Sequence, residues 1–327
     1  MGDGLDLQQI EAEFGRLVEP GPVGVAVSGG GDSIALLALA QRAGLPVQAA
    51  TVDHGLRPAA KDEARAVAHF CAERAIPHAI LGIGALPARG NLPAKLRDAR
   101  YGALIGWAGE HGIGQILLGH TMDDQAETVL MRLARGSGTV GLAGMYDRRV
   151  SADIAWLRPL LWTRRADLRC WLEANAIQWF DDPTNEDEAF DRIKARRALD
   201  CLAPLGITVD RLARSTSTFK RQAEVLSDAS EQLHDLAARP AAQGGIYLDR
   251  PALRRAREDA ALRVLGGALV EIGGGPYMPR MEGLQRLLAE IVDHGSFRRT
   301  LNHCLIESVP NTDHVVIMPE PAASETP

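Results

Sequence analysis

Long apolar runs are missing from this 327-residue sequence. No stretch approaches the roughly 18 uninterrupted apolar residues of a membrane-crossing helix, and Asp32 interrupts the most apolar early region. No membrane partner is expected. Cysteine is scarce and scattered: Cys71, Cys170, Cys201 and Cys304 form no Cys-x-x-Cys, so no zinc knuckle or redox pair is written into the sequence. Scattered thiols suit a reducing compartment. The opening MGDGLDLQQIEAEFGRLVE lacks the basic and apolar regions of a secretory signal, so a cytoplasmic location is expected. Neither sign of charge dominates, for the net charge is only −6. That does not exclude nucleic acid. Basic residues cluster locally at Arg148 and Arg149, at Arg164, Arg165 and Arg169, and at Arg192, Lys194, Arg196 and Arg197. On charge alone, the clusters read more readily as solvated helix faces.

What is present is ordinary for a globular protein, with 46% hydrophobic and 24% charged residues. The length predicts two domains. From Val23 to about Trp162, short apolar runs alternate with longer amphipathic segments, the pattern of βαβ units around a parallel sheet. Strands are expected at 23–28, 46–53, 78–83, 115–119 and 154–158, with helices at 33–43, 59–75, 92–111, 122–135 and 164–175. The fold class is therefore α/β, a doubly wound parallel sheet, with a second, smaller and mostly helical domain. The polar FDDPTNEDEAF segment places the boundary near residue 188, giving 1–187 and 188–318. Beyond it, helices are expected at 209–237, 251–271 and 280–292, and strands at 245–249, 303–308 and 314–318. Residues 319–327 are expected to be a disordered tail.

The first chemical motif is Ser28-Gly29-Gly30-Gly31-Asp32-Ser33, between the strand VGVAV and the helix IALLALAQRAG. Consecutive glycines let backbone N–H groups approach a ligand at a helix N-terminus, which suits phosphate. No Lys follows, so this is neither a Walker loop nor a dinucleotide fingerprint. Asp32 would repel phosphate unless Mg²⁺ bridges the two. Alternatively, Ser28 or Asp32 merely caps the helix. The second motif, His120-Thr121-Met122-Asp123-Asp124-Gln125-Ala126-Glu127-Thr128, follows the strand QILLG. Its spacing puts His120, Asp124 and Glu127 on one helix face. The alternative is acids complementing a helix dipole. Arg57, Arg97 and Arg100 suit phosphate, and each also has a nearby acid as a plain surface partner.

SGGGDS, the V52-D53-H54-G55-L56-R57 stretch, R97-D98-A99-R100-Y101, GHTMDDQAETVLMRLARGSGTVGLAGM and DDPTNEDEAFDR, in this order, resemble the tRNA(Ile)-lysidine synthetases of the ATP-pyrophosphatase superfamily over about residues 20–205. Where that family often shows Arg-Asn-x-x-Arg, this chain has Arg192-Ile193-Lys194-Ala195-Arg196. The resemblance implies a Rossmann-like fold of PP-loop ATPase type. ATP would be held by Ser28, Gly29, Gly30, Gly31, Asp32, Ser33, His54 and Arg57, with Mg²⁺ at Asp32. Catalytic roles would fall to Asp32, His120, Asp124, Glu127, Arg97 and Arg100. It further implies adenylation of the wobble cytidine of tRNA(Ile) bearing a CAU anticodon, then attack at C2 by free lysine, with AMP and pyrophosphate released. In that reading Asp124 and Glu127 position the lysine, His120 carries a proton or contacts the nucleotide, and residues 188–318 contact tRNA. A homodimer is left open. So are three rivals: a tRNA 2-thiolase, an ATP-dependent amidotransferase and a non-catalytic nucleotide sensor. The four cysteines stand outside the motifs, which disfavours the first; the lack of a glutaminase-like cysteine and the presence of HTMDDQAET disfavour the second.

Overall fold

The computed structural model describes residues 4–55, 58–84, 92–180, 191–241, 244–275, 278–293 and 295–321. Arg57 and most of the DDPTNEDEAFDR segment lie outside the described residues. The chain divides into two compact units, Met1–Lys220 and Arg221–Pro327.

The first unit opens with α1 (Leu7–Leu17), β1 (Val23–Ala26), α2 (Gly31–Arg42), β2 (Val47–Asp53), α3 (Pro58–Glu73), β3 (His78–Gly82) and α4 (Leu92–Glu110). It continues with β4 (Gln115–Leu118), α5 (Met122–Ala134), α6 (Thr139–Leu142), β5 (Arg148–Ser151), β6 (Ile154–Leu157), α7 (Arg165–Ala174) and α8 (Asp191–Leu202). The long α9 (Val209–Ala237) begins in this unit. The sheet runs β3-β2-β1-β4-β6-β5. All pairings are parallel except that of β5 with β6. All five expected strands are present. The exposed edge strand β5 was not expected, because its residues RRVS carry no apolar alternation.

Strand alternation decides which face each core covers. Val23, Val25 and Leu117 pack with α1, α2, α3 and α7, whereas Ile116, Leu118 and Trp156 pack with Leu104 and Trp107 of α4. Gly24 is needed on the second face, since a Cβ there would lie 2.9 Å from the Trp107 ring and 3.1 Å from Ile116. Sheet order reverses between β1 and β4, which pair in parallel from Val23↔Gln115 to Ala26↔Leu118. The loops leaving their C-terminal ends are the two motif-bearing segments, and such a reversal is where open α/β sheets bind ligands.

The second unit has β7 (Ala238–Ala241), β8 (Gly245–Asp249), α10 (Arg250–Arg255), α11 (Glu258–Gly273), α12 (Met281–Val292), β9 (Arg298–Leu301), β10 (Cys304–Ser308) and β11 (His314–Pro319). Its sheet, β7-β8-β11-β10-β9, is antiparallel. Leu248, Ile306, Val315 and Ile317 pack against Leu265 and Leu269 of α11 and Ile291 of α12. Two edge strands were missed, and the helix expected over 251–271 is two helices, broken around Ala256. Pro319 ends β11 rather than beginning a tail, and 322–327 lie outside the described residues. The units divide inside α9, not near residue 188. The reason is that α8 packs on α5, and Arg135 pairs with Asp191 at 2.8 Å.

Gly24→Ala is expected to lower stability by about 1–3 kcal/mol through overpacking against Trp107, measured by denaturant unfolding of the purified chain.

Candidate active site

The glycine loop closes on itself before α2 begins. Ser28 N–H donates to Ser33 Oγ at 3.1 Å, Ser33 Oγ donates to the Gly30 carbonyl at 2.9 Å, and the Ser33 and Ile34 amides return to the same carbonyl. Gly29 has φ +89°, a conformation that favours glycine. Gly30 caps α2 with no side-chain hydrogen bond, so the helix start presents backbone rather than a capping hydroxyl. A Cβ on Gly119, at the end of β4, would lie 3.1 Å from the backbone of Asp32 and Ser33. That close approach brings the second motif against the first. The loop fits a phosphate chain: N–H groups at a helix N-terminus, next to backbone that tolerates no bulk.

The second motif opens α5 through a capping box. Thr121 donates to Asp124 Oδ2 through its N–H (2.9 Å) and its hydroxyl (2.8 Å), while Thr121 Oγ1 accepts from the Asp124 amide. His120 therefore precedes the helix rather than sharing its face. Asp123 points elsewhere: its carboxylate accepts the first amide of α7, Arg165 N–H, at 2.8 Å. Glu127, one turn on, is 1% exposed.

Arg165 joins these parts. Its Nε donates to Asp32 Oδ2 at 2.8 Å, its Nη2 lies 3.2 Å from Asp124 Oδ2, and its Nη1 lies 3.4 Å from Glu127 Oε1. Burial alone would depress the guanidinium, but the three carboxylates outweigh it and raise its pKa. Glu127 Oε1 also receives Arg196 at 2.9 Å, and Arg192 lies 3.7 Å from Asp124 Oδ1. Burial pushes the Asp32 pKa up despite Arg165. Burial works the same way on Asp124, but Arg165, His120, Thr121 and Arg192 together hold it below its ordinary value. Glu127 Oε2 is buried with no partner.

A group of arginines acts on the two histidines of the motifs. Arg97 donates to the Tyr101 hydroxyl at 3.2 Å, and the Tyr101 ring packs at a tilt against Trp156 with ring centroids 4.6 Å apart. Arg100 is depressed by burial and by the fields of Arg97 and Arg192, and Arg158 by burial and by Arg97 and Arg149. The His54 pKa falls through burial and Arg100. Burial, with Arg158, Arg192 and Arg100, pushes His120 down to about 3 against the opposing pull of Asp124. Its imidazole is therefore neutral near pH 7, and both His54 and His120 have a buried Nδ1 without a partner. Behind α5, buried Gln125 exchanges two hydrogen bonds with Met145, and Arg132 donates to the Gly141 and Gly144 carbonyls. The RGSGTVGLAGM loop is tightly turned.

Of the residues expected from sequence, Asp32, Asp124 and Glu127 meet through one guanidinium, and the field of Arg100 helps lower the His120 pKa. Ser28 and Ser33 shape the loop. Arg165, Arg192 and Arg196 were noted only as basic clusters. Nothing local distinguishes them from surface arginines, although the persistence of Arg192 and Arg196 at the Arg-Asn-x-x-Arg position was a signal.

The model of the PP-loop domain family matches residues 6–201. A tRNA(Ile)-lysidine synthase of Ruegeria pomeroyi is 41% identical over 88% of this chain and 69% of its own. One from Methylobacterium nodulans is 40% identical over 92% and 93%. The chain belongs to the tRNA(Ile)-lysidine synthase family. A solved U34-tRNA thiolase from Methanococcus maripaludis superposes with a TM-score of 0.57 at 19% identity, over 67% of this chain and 78% of its own. At that identity the likeness is one of fold. The PP-loop domain makes up most of the first compact unit.

Because the His120 pKa is lower folded than unfolded, the unfolded chain takes up the proton first as pH falls. The contribution is present above about pH 6.5 and is lost progressively toward pH 3, and Asp124 acts in the same direction. Asp32 acts in the opposite one. His120→Gln is expected to flatten the fall of the thermal midpoint between about pH 6.5 and 4, followed by calorimetry.

Proposed function

We propose that this chain ligates free lysine to C2 of the wobble cytidine of tRNA(Ile) bearing a CAU anticodon, consuming ATP and releasing AMP and pyrophosphate. One observation carries the reading. Glu127 buries a carboxylate oxygen with no donor, beside Asp124 and within one guanidinium's span of a phosphate-type loop. An unpaired buried carboxylate oxygen is costly, and the ε-ammonium of lysine is the donor it suits.

The chemistry needs both halves of the site. Cytidine O2 is a poor leaving group; its attack on the α-phosphorus of ATP expels pyrophosphate and makes the oxygen a good one. The lysine amine then bonds to C2, the C2–O bond breaks, and AMP departs with the oxygen. The amine must shed protons, and its ordinary pKa is about 10.4. Asp124 and Glu127 anchor and orient it and stabilise positive charge on the product. A neutral His120 with a pKa near 3 is too weak a base to take that proton. It serves instead as a hydrogen-bonding contact to the nucleotide. Arg97 and Arg100 take phosphate, since cations that depress one another's neighbours are relieved by an anion.

Among the described residues no group of three His, Cys, Asp or Glu side chains is placed to hold a metal. Asp32, at the glycine loop, is the residue that would hold Mg²⁺ beside a bound phosphate chain. When bound, the ion neutralises phosphate charge. In this reading residues 188–318 contact the tRNA, and the reaction takes place in the cytoplasm. A thiolase reading finds no support in the cysteines: Cys71 and Cys304 are buried, Cys170 and Cys201 lie on α7 and α8, and all four are free.

The test measures AMP and pyrophosphate from ATP with that tRNA, with and without lysine, and the mass of the wobble nucleoside. A lysine-dependent lysyl adduct is the expected result; ATP turnover without an adduct at any lysine concentration rejects the assignment. Glu127→Gln should raise the KM for lysine roughly 10- to 100-fold, the worth of one charged hydrogen bond, with lysine-independent pyrophosphate release retained.

A further inference from the structure

The acids that are to bind lysine are already compensated by cations. Asp32, Asp124 and Glu127 face Arg165, Arg192 and Arg196 within 4 Å. An ammonium entering this balanced cluster gains little Coulomb energy. Of those arginines, Arg165 alone among the described residues is bonded both to the acid of the glycine loop and to the acids of α5. Its Nε sits 2.8 Å from Asp32, so its guanidinium is within reach of anything seated on that loop, and its fork matches phosphate as well as carboxylate.

The geometry points to Arg165 as the residue that makes lysine binding conditional on the triphosphate. In the empty site its guanidinium compensates Asp124 and Glu127. Phosphate oxygens on the glycine loop draw it toward them, the α5 carboxylates recover net negative charge, and the ε-ammonium then binds. No covalent step is involved. The result is positive coupling between two ligands, reciprocal by linkage, and it prevents the amine from occupying the site before the cytidine can be activated. This inference rests on the lysine reading above and adds an order of binding to it.

The test is calorimetric titration of free lysine into the full chain, alone and with Mg²⁺ plus inorganic triphosphate, a non-hydrolysable ATP analogue, or adenosine. The wild type should bind lysine about tenfold more tightly with either polyphosphate and no more tightly with adenosine. Arg165→Gln should bind lysine without polyphosphate about as well as the wild type does with it, leaving little dependence. Arg165→Lys, which keeps the charge, should restore part of the dependence. An unchanged ratio in Arg165→Gln, or tightening by adenosine alone, overturns the inference. If Arg165→Gln fails to fold, the wild-type comparison of triphosphate with adenosine decides. Wild type that binds lysine equally with and without triphosphate overturns only this inference. Wild type that binds none under any condition overturns the lysine reading as well.

Discussion

One guanidinium holds the catalytic half of this molecule in register. Arg165 has its Nε on Asp32 and its two terminal nitrogens on Asp124 and Glu127, while its backbone amide is taken by Asp123. Without it, three acids from two elements would crowd one corner, and their repulsion would raise their pKa values and loosen the loop. A buried ion cluster of this kind contributes little net stability against a well-packed apolar core, but removing one partner strands the others at a cost of about 3–5 kcal/mol. Its value here is orientation.

The surrounding elements serve that arrangement. β1 and β4 lie side by side where the sheet order reverses, so the glycine loop and the α5 N-terminus emerge as neighbours. The two adjacent aspartates of α5 have separate tasks: Asp124 closes its own capping box, and Asp123 pins the start of α7, helped by Arg164, which also reaches Asp210 at 2.7 Å. Arg100 is depressed by burial and by the fields of Arg97 and Arg192, and Arg158 by burial and by Arg97 and Arg149. The acids of this site are matched by Arg165, Arg192 and Arg196, so its charges are balanced in space rather than along the chain.

Much of this was legible from residue pattern. The alternation of short apolar runs with amphipathic segments marked the parallel strands, because strands buried on both faces must be apolar. Edge strands β5, β7 and β9 were not legible, since solvent on one side relaxes that demand. The break between α10 and α11 escaped for another reason. Both helices are apolar toward the same core, and the interruption lies in backbone geometry at Ala256 rather than in composition. His120 was read onto the face of α5 from its spacing, but Thr121 caps the helix and leaves His120 before it.

The sequence by itself determined the glycine loop, the acids after β4, their order along the chain and their place at strand ends, because these depend on short-range backbone rules and on fixed sheet topology. Only the tertiary structure decided that Arg165 is the counter-ion the three acids share, that α8 returns to the first unit, and that His120 is held neutral. Each of these depends on groups far apart in the chain. Arg165 lies 133 residues from Asp32, and Arg196 lies 69 from Glu127. Electrostatic compensation in a buried site is a property of distance in space, and no local pattern in a chain records it.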